Sequence, residues 1–157
     1  MKFKFIAAGL VIAAAITYLI ISATSNSAQY FLTVKELQDR KAEMAGRDVR
    51  VSGVVLGDTI EYDAPNLQLR FTIANVTGSQ TEIDAQGGLA NALHLAATDP
   101  TQPELVVTYS GVRPDLLKNE AQAILTGRLQ PDGSFKAGEL LLKCPTRYED
   151  SLPGQVK

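Results

Sequence analysis

Residues 67–73 read LQLRFTI. Leu67, Leu69, Phe71 and Ile73 alternate with Gln68, Arg70 and Thr72, the period of two that a β-strand imposes when one face is buried and the other is wet. The same period recurs on either side. In DVRVSGVVL, residues 48–56, Val49, Val51 and Val55 point one way, with Arg50 and Ser52 opposite. In ELVVTYSG, residues 104–111, Leu105, Val107 and Tyr109 share a side, and in AQAILTGRL, residues 121–129, Ala123, Leu125 and Leu129 do. QPDGS at 130–134 is a turn built from Pro131, Asp132 and Gly133, and FKAGELLL follows it. With a short strand around residues 59–62, the expectation is about six strands. So many short, half-buried strands predict an all-β chain folded as a small barrel or a sandwich.

Two stretches depart from this period. LTVKEL, residues 32–37, is a helix start. Thr33 caps, Glu36 three residues on completes a capping box, and Leu32 and Leu37 fit a hydrophobic staple. This helix is expected to run to about Ala45, where Gly46 stops it. Residues 75–103 interrupt the β pattern as an insertion. Within it Leu89, Leu93 and Ala96 repeat at helical spacing, which predicts a short helix over 89–97, begun at Gly87 and Gly88 and ended at Asp99-Pro100. His94 is read as a solvent-facing or packing residue, because no second strong metal ligand lies nearby in sequence.

Residues 5–23, FIAAGLVIAAAITYLIISA, carry no charge. As a helix they would be roughly 28 Å long, about the thickness of a bilayer's hydrocarbon core. Lys2 and Lys4 precede the segment and the next charge is Lys35, which orients the N-terminus to the cytoplasm. A cleaved signal peptide is the alternative, although SNSAQY makes a weak cleavage site. In both cases residue 24 onward lies outside the cytoplasm. The expected layout is a cytoplasmic stub at 1–4, a transmembrane anchor at 5–23 and a tether at 24–31. An extracytoplasmic β-domain follows at 32–142, and a flexible tail at 143–157.

Several function classes are excluded by what the residues lack. There is one histidine, no Ser/His/Asp set and no Gly-rich phosphate loop, so no catalytic residues are assigned and the chain is not read as an enzyme. Fifteen basic against 17 acidic residues, with 6% aromatics, offer little to a nucleic acid. The single cysteine, Cys144, has no internal disulfide partner. Outside the cytoplasm it therefore implies an intermolecular link or a reactive thiol. Pro145 holds Cys144 out of helical geometry, and Lys143 and Arg147 flank it with cations. Tyr148, four residues on, is a phenol whose oxygen suits ferric iron. A thiol that adds to a vinyl group and a phenolate that holds iron would together grip one haem. The two-residue pattern C-x-x-x-Y is short, however, and taken alone it reads better as an exposed thiol without a role.

A longer set of motifs adds to this. The chain resembles the CcmE family, the membrane-anchored haem chaperones of cytochrome c maturation. The resemblance runs through TVKEL, RDVRVSGVV, LRFTIAN, VVTYSGVRPDLL, AQAILTGRL and GSFKAGELLLKC. Tyr109, Gly111, Pro114, Asp115 and Leu116 in Y-x-G-x-x-P-D-L order are its most specific part. It implies an OB-type β-barrel with a short helix, preceded by one transmembrane helix and followed by the flexible tail. It also implies transient covalent haem, with Cys144 as the attachment point and Tyr148 as the axial iron ligand. The partners implied are haem-handling and haem-delivery membrane proteins, a haem ligase complex and apocytochrome c, and no nucleic acid. The implied location is the plasma (inner) membrane, single-pass, with the β-domain on the periplasmic side. Three features depart from the family's usual pattern. Most members carry histidine where this chain has Cys144, and the chain resembles a variant branch with C-x-x-x-Y. The 75–103 insertion is absent from shorter members, and Leu117 stands where an aromatic is common. Set against the haem carrier is a membrane-anchored OB-fold binding or adaptor module whose thiol pairs with another protein.

Overall fold

The computed structural model describes residues 31–144 and Ile12. All of the expected anchor but Ile12, and all of the tether but Phe31, lie outside the described residues, as does Tyr148. Among the described residues no helix is long and apolar enough to cross a membrane.

The chain enters through β1 (Phe31–Thr33), a strand too short to show a period in the sequence, which pairs parallel to the start of β2. Phe31, the last residue of the expected tether, belongs to this strand. At Thr33 the capping box forms: the Glu36 N–H donates to Thr33 Oγ1 (3.2 Å), and the Thr33 N–H donates to Glu36 Oε2 (2.8 Å). The staple residues Leu32 and Leu37 are both buried. The helix is not continuous to Ala45. It divides into α1 (Val34–Asp39) and α2 (Lys41–Met44) at Arg40, whose φ of −110° and ψ of 24° leave the helical well. Gly46 then takes a φ of +75°, the left-handed stop that glycine allows.

Strand β2 (Val49–Asp63) is 15 residues long and absorbs the separate strand expected at 59–62. What looked like two strands is one with a bulge. Leu56 pairs with Thr72 and Glu61 with Arg70, so residues 57–60 of β2 face a single residue of β3 (Gln68–Ala74). Thr59 holds the bulge together, its hydroxyl accepting the Thr72 N–H (2.8 Å) and donating to Leu56 O (2.7 Å). Leu67, read as part of the next strand, instead sits before it at φ 52° and is 44% exposed.

Strands β4 (Glu104–Ser110), β5 (Gln122–Leu129) and β6 (Phe135–Lys143) complete the sheet. The order β2-β3-β4-β6-β5 closes through a further β2–β5 ladder. Every pairing in that ring is antiparallel except β4–β6. This is a five-stranded closed barrel of OB type. Its interior holds the alternating sets read from sequence: Val49, Val51 and Val55, then Leu69, Phe71 and Ile73, then Leu105 and Val107, then Ala123 and Leu125, with Phe135. At Gly127 the β5–β6 register shifts, and a Cβ there would fall on Lys136 O and 2.8 Å from Ala137 Cα.

Residues 75–103 lie between β3 and β4 and contain two helices rather than one. They are α3 (Gln80–Ala85), whose polar sequence carries no apolar period, and α4 (Leu89–Thr98). Gly88 at φ 97° begins α4, as the glycine pair suggested. The insertion carries its own small core. Leu93 and Ala96 of α4, with Val76, cover Val54 and Ala74 on the barrel's outer surface, which explains why Val54 is buried although it breaks the inward alternation of β2.

Candidate functional site

Cys144 is the first residue past the last ladder pair of the barrel, Gln122 with Lys143. Its thiol is free and half-exposed. Along β6 the outward residues are Glu139, Leu141 and Lys143, while Leu140 and Leu142 are half-buried against the core. Leu140 and Leu142 therefore keep only part of their apolar surface free. Leu141, 44% exposed on the other face, is the more open apolar group.

Strand directions decide what else lies at this end. β2, β4 and β6 run toward it, and β3 and β5 run away. Tyr62 of β2 pairs with Leu69 of β3, and Leu69 with Tyr109 of β4. Both tyrosines are half-buried rims on the core, so the barrel end that carries Cys144 is edged with phenol rings and leucines. Gly111 makes room for one of them, because a Cβ there would meet the Tyr109 ring.

The loop from Gly111 to β5 crosses the same end. It is tied down at both sides: the Gly111 N–H donates to Leu67 O (2.8 Å), and Asn119 Oδ1 accepts the Gly57 N–H (2.9 Å). Between the ties Leu117 is buried in the core, whereas Val112 and Leu116 are 71% and 50% exposed. Sequence reading missed these two as site candidates. The available signal was two large apolar residues in a segment of Gly, Arg, Pro and Asp, where a soluble turn has no use for them. The position where an aromatic is common is thus a core position here, filled by a smaller side chain.

His94 is exposed on α4, and its Nδ1 lies 2.9 Å from Glu120 Oε1. It braces the insertion against the β4–β5 loop, in keeping with its reading as a solvent-facing residue. No group of three His, Cys, Asp or Glu side chains that could hold a metal occurs among the described residues. The carboxyls held below their ordinary range belong to loops and a surface pair. Asp48 is lowered chiefly by its hydrogen bonds to Arg128, Asp99 by Thr101 and Gln102, and Asp132 by Ser134. What the geometry brings together is one half-exposed thiol, a rim of half-buried rings and leucines, and two exposed apolar side chains on a tied loop.

Known proteins share this chain's sequence pattern. The CcmE domain family matches residues 28–95 and 90–151, in two pieces that meet within α4. A cytochrome c-type biogenesis protein CcmE of Thermus thermophilus is 28% identical over 154 residues, covering 98% of this chain and 90% of that protein. The CcmE protein of Sphingopyxis alaskensis is 30% identical over 135 residues, covering 86% and 75%. Among solved structures, the OB-fold domain of the heme chaperone CcmE from Desulfovibrio vulgaris aligns at 24% identity with a TM-score of 0.42. That alignment covers 63% of this chain and 89% of that domain.

Proposed function

The chain belongs to the CcmE family, and on that premise we propose that it is a haem chaperone of cytochrome c maturation. It holds haem covalently and transiently outside the cytoplasm and passes it to apocytochrome c. The observation that carries the residue assignment is the position of Cys144. A carrier must present its reactive atom outside a rigid body so that donor and acceptor proteins both reach it. Cys144 is half-exposed immediately beyond the last paired residue of β6.

The chemistry needs no catalytic residue. The Cys144 thiol adds across a haem vinyl group: Sγ bonds to one vinyl carbon, the thiol proton ends on the other, and no electrons are gained or lost. The apolar end, where Tyr62, Tyr109, Leu140 and Leu142 are half-buried and Val112 and Leu116 stand free, would supply the surface that holds the porphyrin. Tyr148 lies four residues beyond Cys144, and in extended form that tether spans roughly 13 Å, enough to bring a phenolate oxygen over the ring to the iron. The uncharged segment 5–23 serves as a single-pass anchor in the plasma (inner) membrane, with the N-terminus cytoplasmic and the barrel on the periplasmic side. There it meets haem-handling and haem-delivery membrane proteins and the haem ligase complex.

The reading is tested by deletion and repair in the producing cell. Loss of the chain should abolish holocytochrome c while apocytochrome c persists, and the wild-type chain should restore it. Normal holocytochrome c in the deletion strain would refute the role.

A further inference from the structure

Among the described residues, the edge of β6 that leads to Cys144 has no strand beside it. β4 pairs only with residues 135–137 of β6 and ends at Ser110. The loop after β4 sends its backbone bonds to Leu67, to Pro114 and to Val55, not to β6. Two bonds show which way the groups of β6 point. Gln130 donates to Ser134 O (2.8 Å) across the β5–β6 turn, and Val55 donates to Ala121 O (2.9 Å) from β2 to the head of β5. Both mean that the even residues Gln122, Ile124 and Thr126 turn their N–H and C=O to β6, and the odd ones to β2. Their ladder partners Lys143, Leu141 and Glu139 are thereby used, and Leu140 and Leu142 direct their N–H and C=O outward. A free edge of this kind is a template for another strand.

The edge matches itself. If Leu140 of one copy faces Leu142 of a second copy in antiparallel pairing, the outward-pointing groups of both residues are satisfied twice over. Leu141 then stands opposite Leu141, on the outer face where it is 44% exposed. On the same face Glu139 meets Lys143 of the second copy on one side, and Lys143 meets Glu139 on the other. The centre is apolar and both flanks are oppositely charged. Cys144 falls opposite Gly138, a position without a side chain. Beyond it Pro145 cannot continue the ladder, just where β4 begins to occupy the edge. We propose that two copies of this chain associate through antiparallel β6–β6 pairing in this register, a two-fold interface whose occupant is a second copy of the same strand.

The test uses the full chain in its membrane with Cys144→Ser, so that the native thiol is silent. Leu141→Cys is introduced, the membranes are oxidised, and dimer is read on a non-reducing gel. Residues at the two-fold centre form a close non-hydrogen-bonded pair, so Leu141→Cys should cross-link efficiently and an exposed control, Leu116→Cys, should not. Glu139→Lys or Lys143→Glu alone should cut the cross-linked fraction roughly tenfold, as two like-charged pairs replace two opposite-charged ones. The double reversal should restore it. Equal cross-linking at Leu116→Cys and Leu141→Cys, or a double reversal that stays as weak as the singles, overturns the proposal. So does a monomer in which hydrogen exchange shows Leu140 and Leu142 protected, which would assign the edge to another polypeptide or to the chain's own tail.

Discussion

The ring of Tyr109 lies over Gly111: a Cβ at position 111 would stand 2.7 Å from Tyr109 Cε1 and 2.9 Å from its hydroxyl oxygen. The Y-x-G spacing is therefore a packing relationship, in which the second residue's missing side chain sets the tilt of the first one's ring. Gly111→Ala is expected to push the ring off the barrel end. Haem carried per protein should fall several-fold in Gly111→Ala, while the apo thermal midpoint drops by only a few degrees, as for a loss of about 1 kcal/mol. Haem loading equal to wild type would show that the ring's placement does not matter to the cargo.

The bulge in β2 depends on one hydroxyl. Thr59→Val keeps the shape and removes the acceptor for the nearly buried Thr72 N–H. The expected cost is about 1–3 kcal/mol in denaturant unfolding, with Thr59→Ser close to wild type. Equal stability of the valine and serine variants would mean that water replaces the bond.

Gly127→Ala should be far more damaging than a glycine change elsewhere, because its neighbours there are the backbone atoms of Lys136 and Ala137, which cannot swing aside. The β5–β6 ladder shifts register at that residue, so the variant is expected to lose its cooperative β transition in circular dichroism, whereas Gly46→Asn at the open helix stop keeps it. A cooperative transition in Gly127→Ala would show that the ladder can relax.

Asp48 and Arg128 form a two-pronged surface pair, with both hydrogen bonds 2.8 Å long. Hydrogen bonding to Arg128 lowers the Asp48 carboxyl and raises Arg128. A group depressed in the folded state contributes stability that is complete above its unfolded value and lost as pH falls through the folded one. Arg128→Gln should therefore lower the thermal midpoint slightly near neutral pH. The gap to wild type should close below about pH 4 and shrink in high salt. A gap that persists at pH 2 would assign Arg128's role to packing.

The barrel strands were legible because each buries one face, and alternation records that directly. Val49, Val51, Leu69, Phe71, Leu105, Val107, Ala123 and Leu125 all point inward as their period requires. β1 was hidden because three residues carry no period, and the bulge at Thr59 because extra residues break the alternation and imitate a turn. α3 has no buried residue, so no apolar stripe marked it. At the candidate site Cys144 stood out as the only cysteine, but Val112 and Leu116 did not, since nothing in a local pattern says which end of a barrel a loop will cross.

The account stands most directly on whether Cys144 carries haem. The measurement is a haem stain on a denaturing gel of the full chain made alongside its maturation partners, comparing wild type, Cys144→Ala and Cys144→His. A thioether survives denaturation, so wild type should stain, Cys144→Ala should not, and Cys144→His should recover part of the signal. Equal staining of wild type and Cys144→Ala would contradict it.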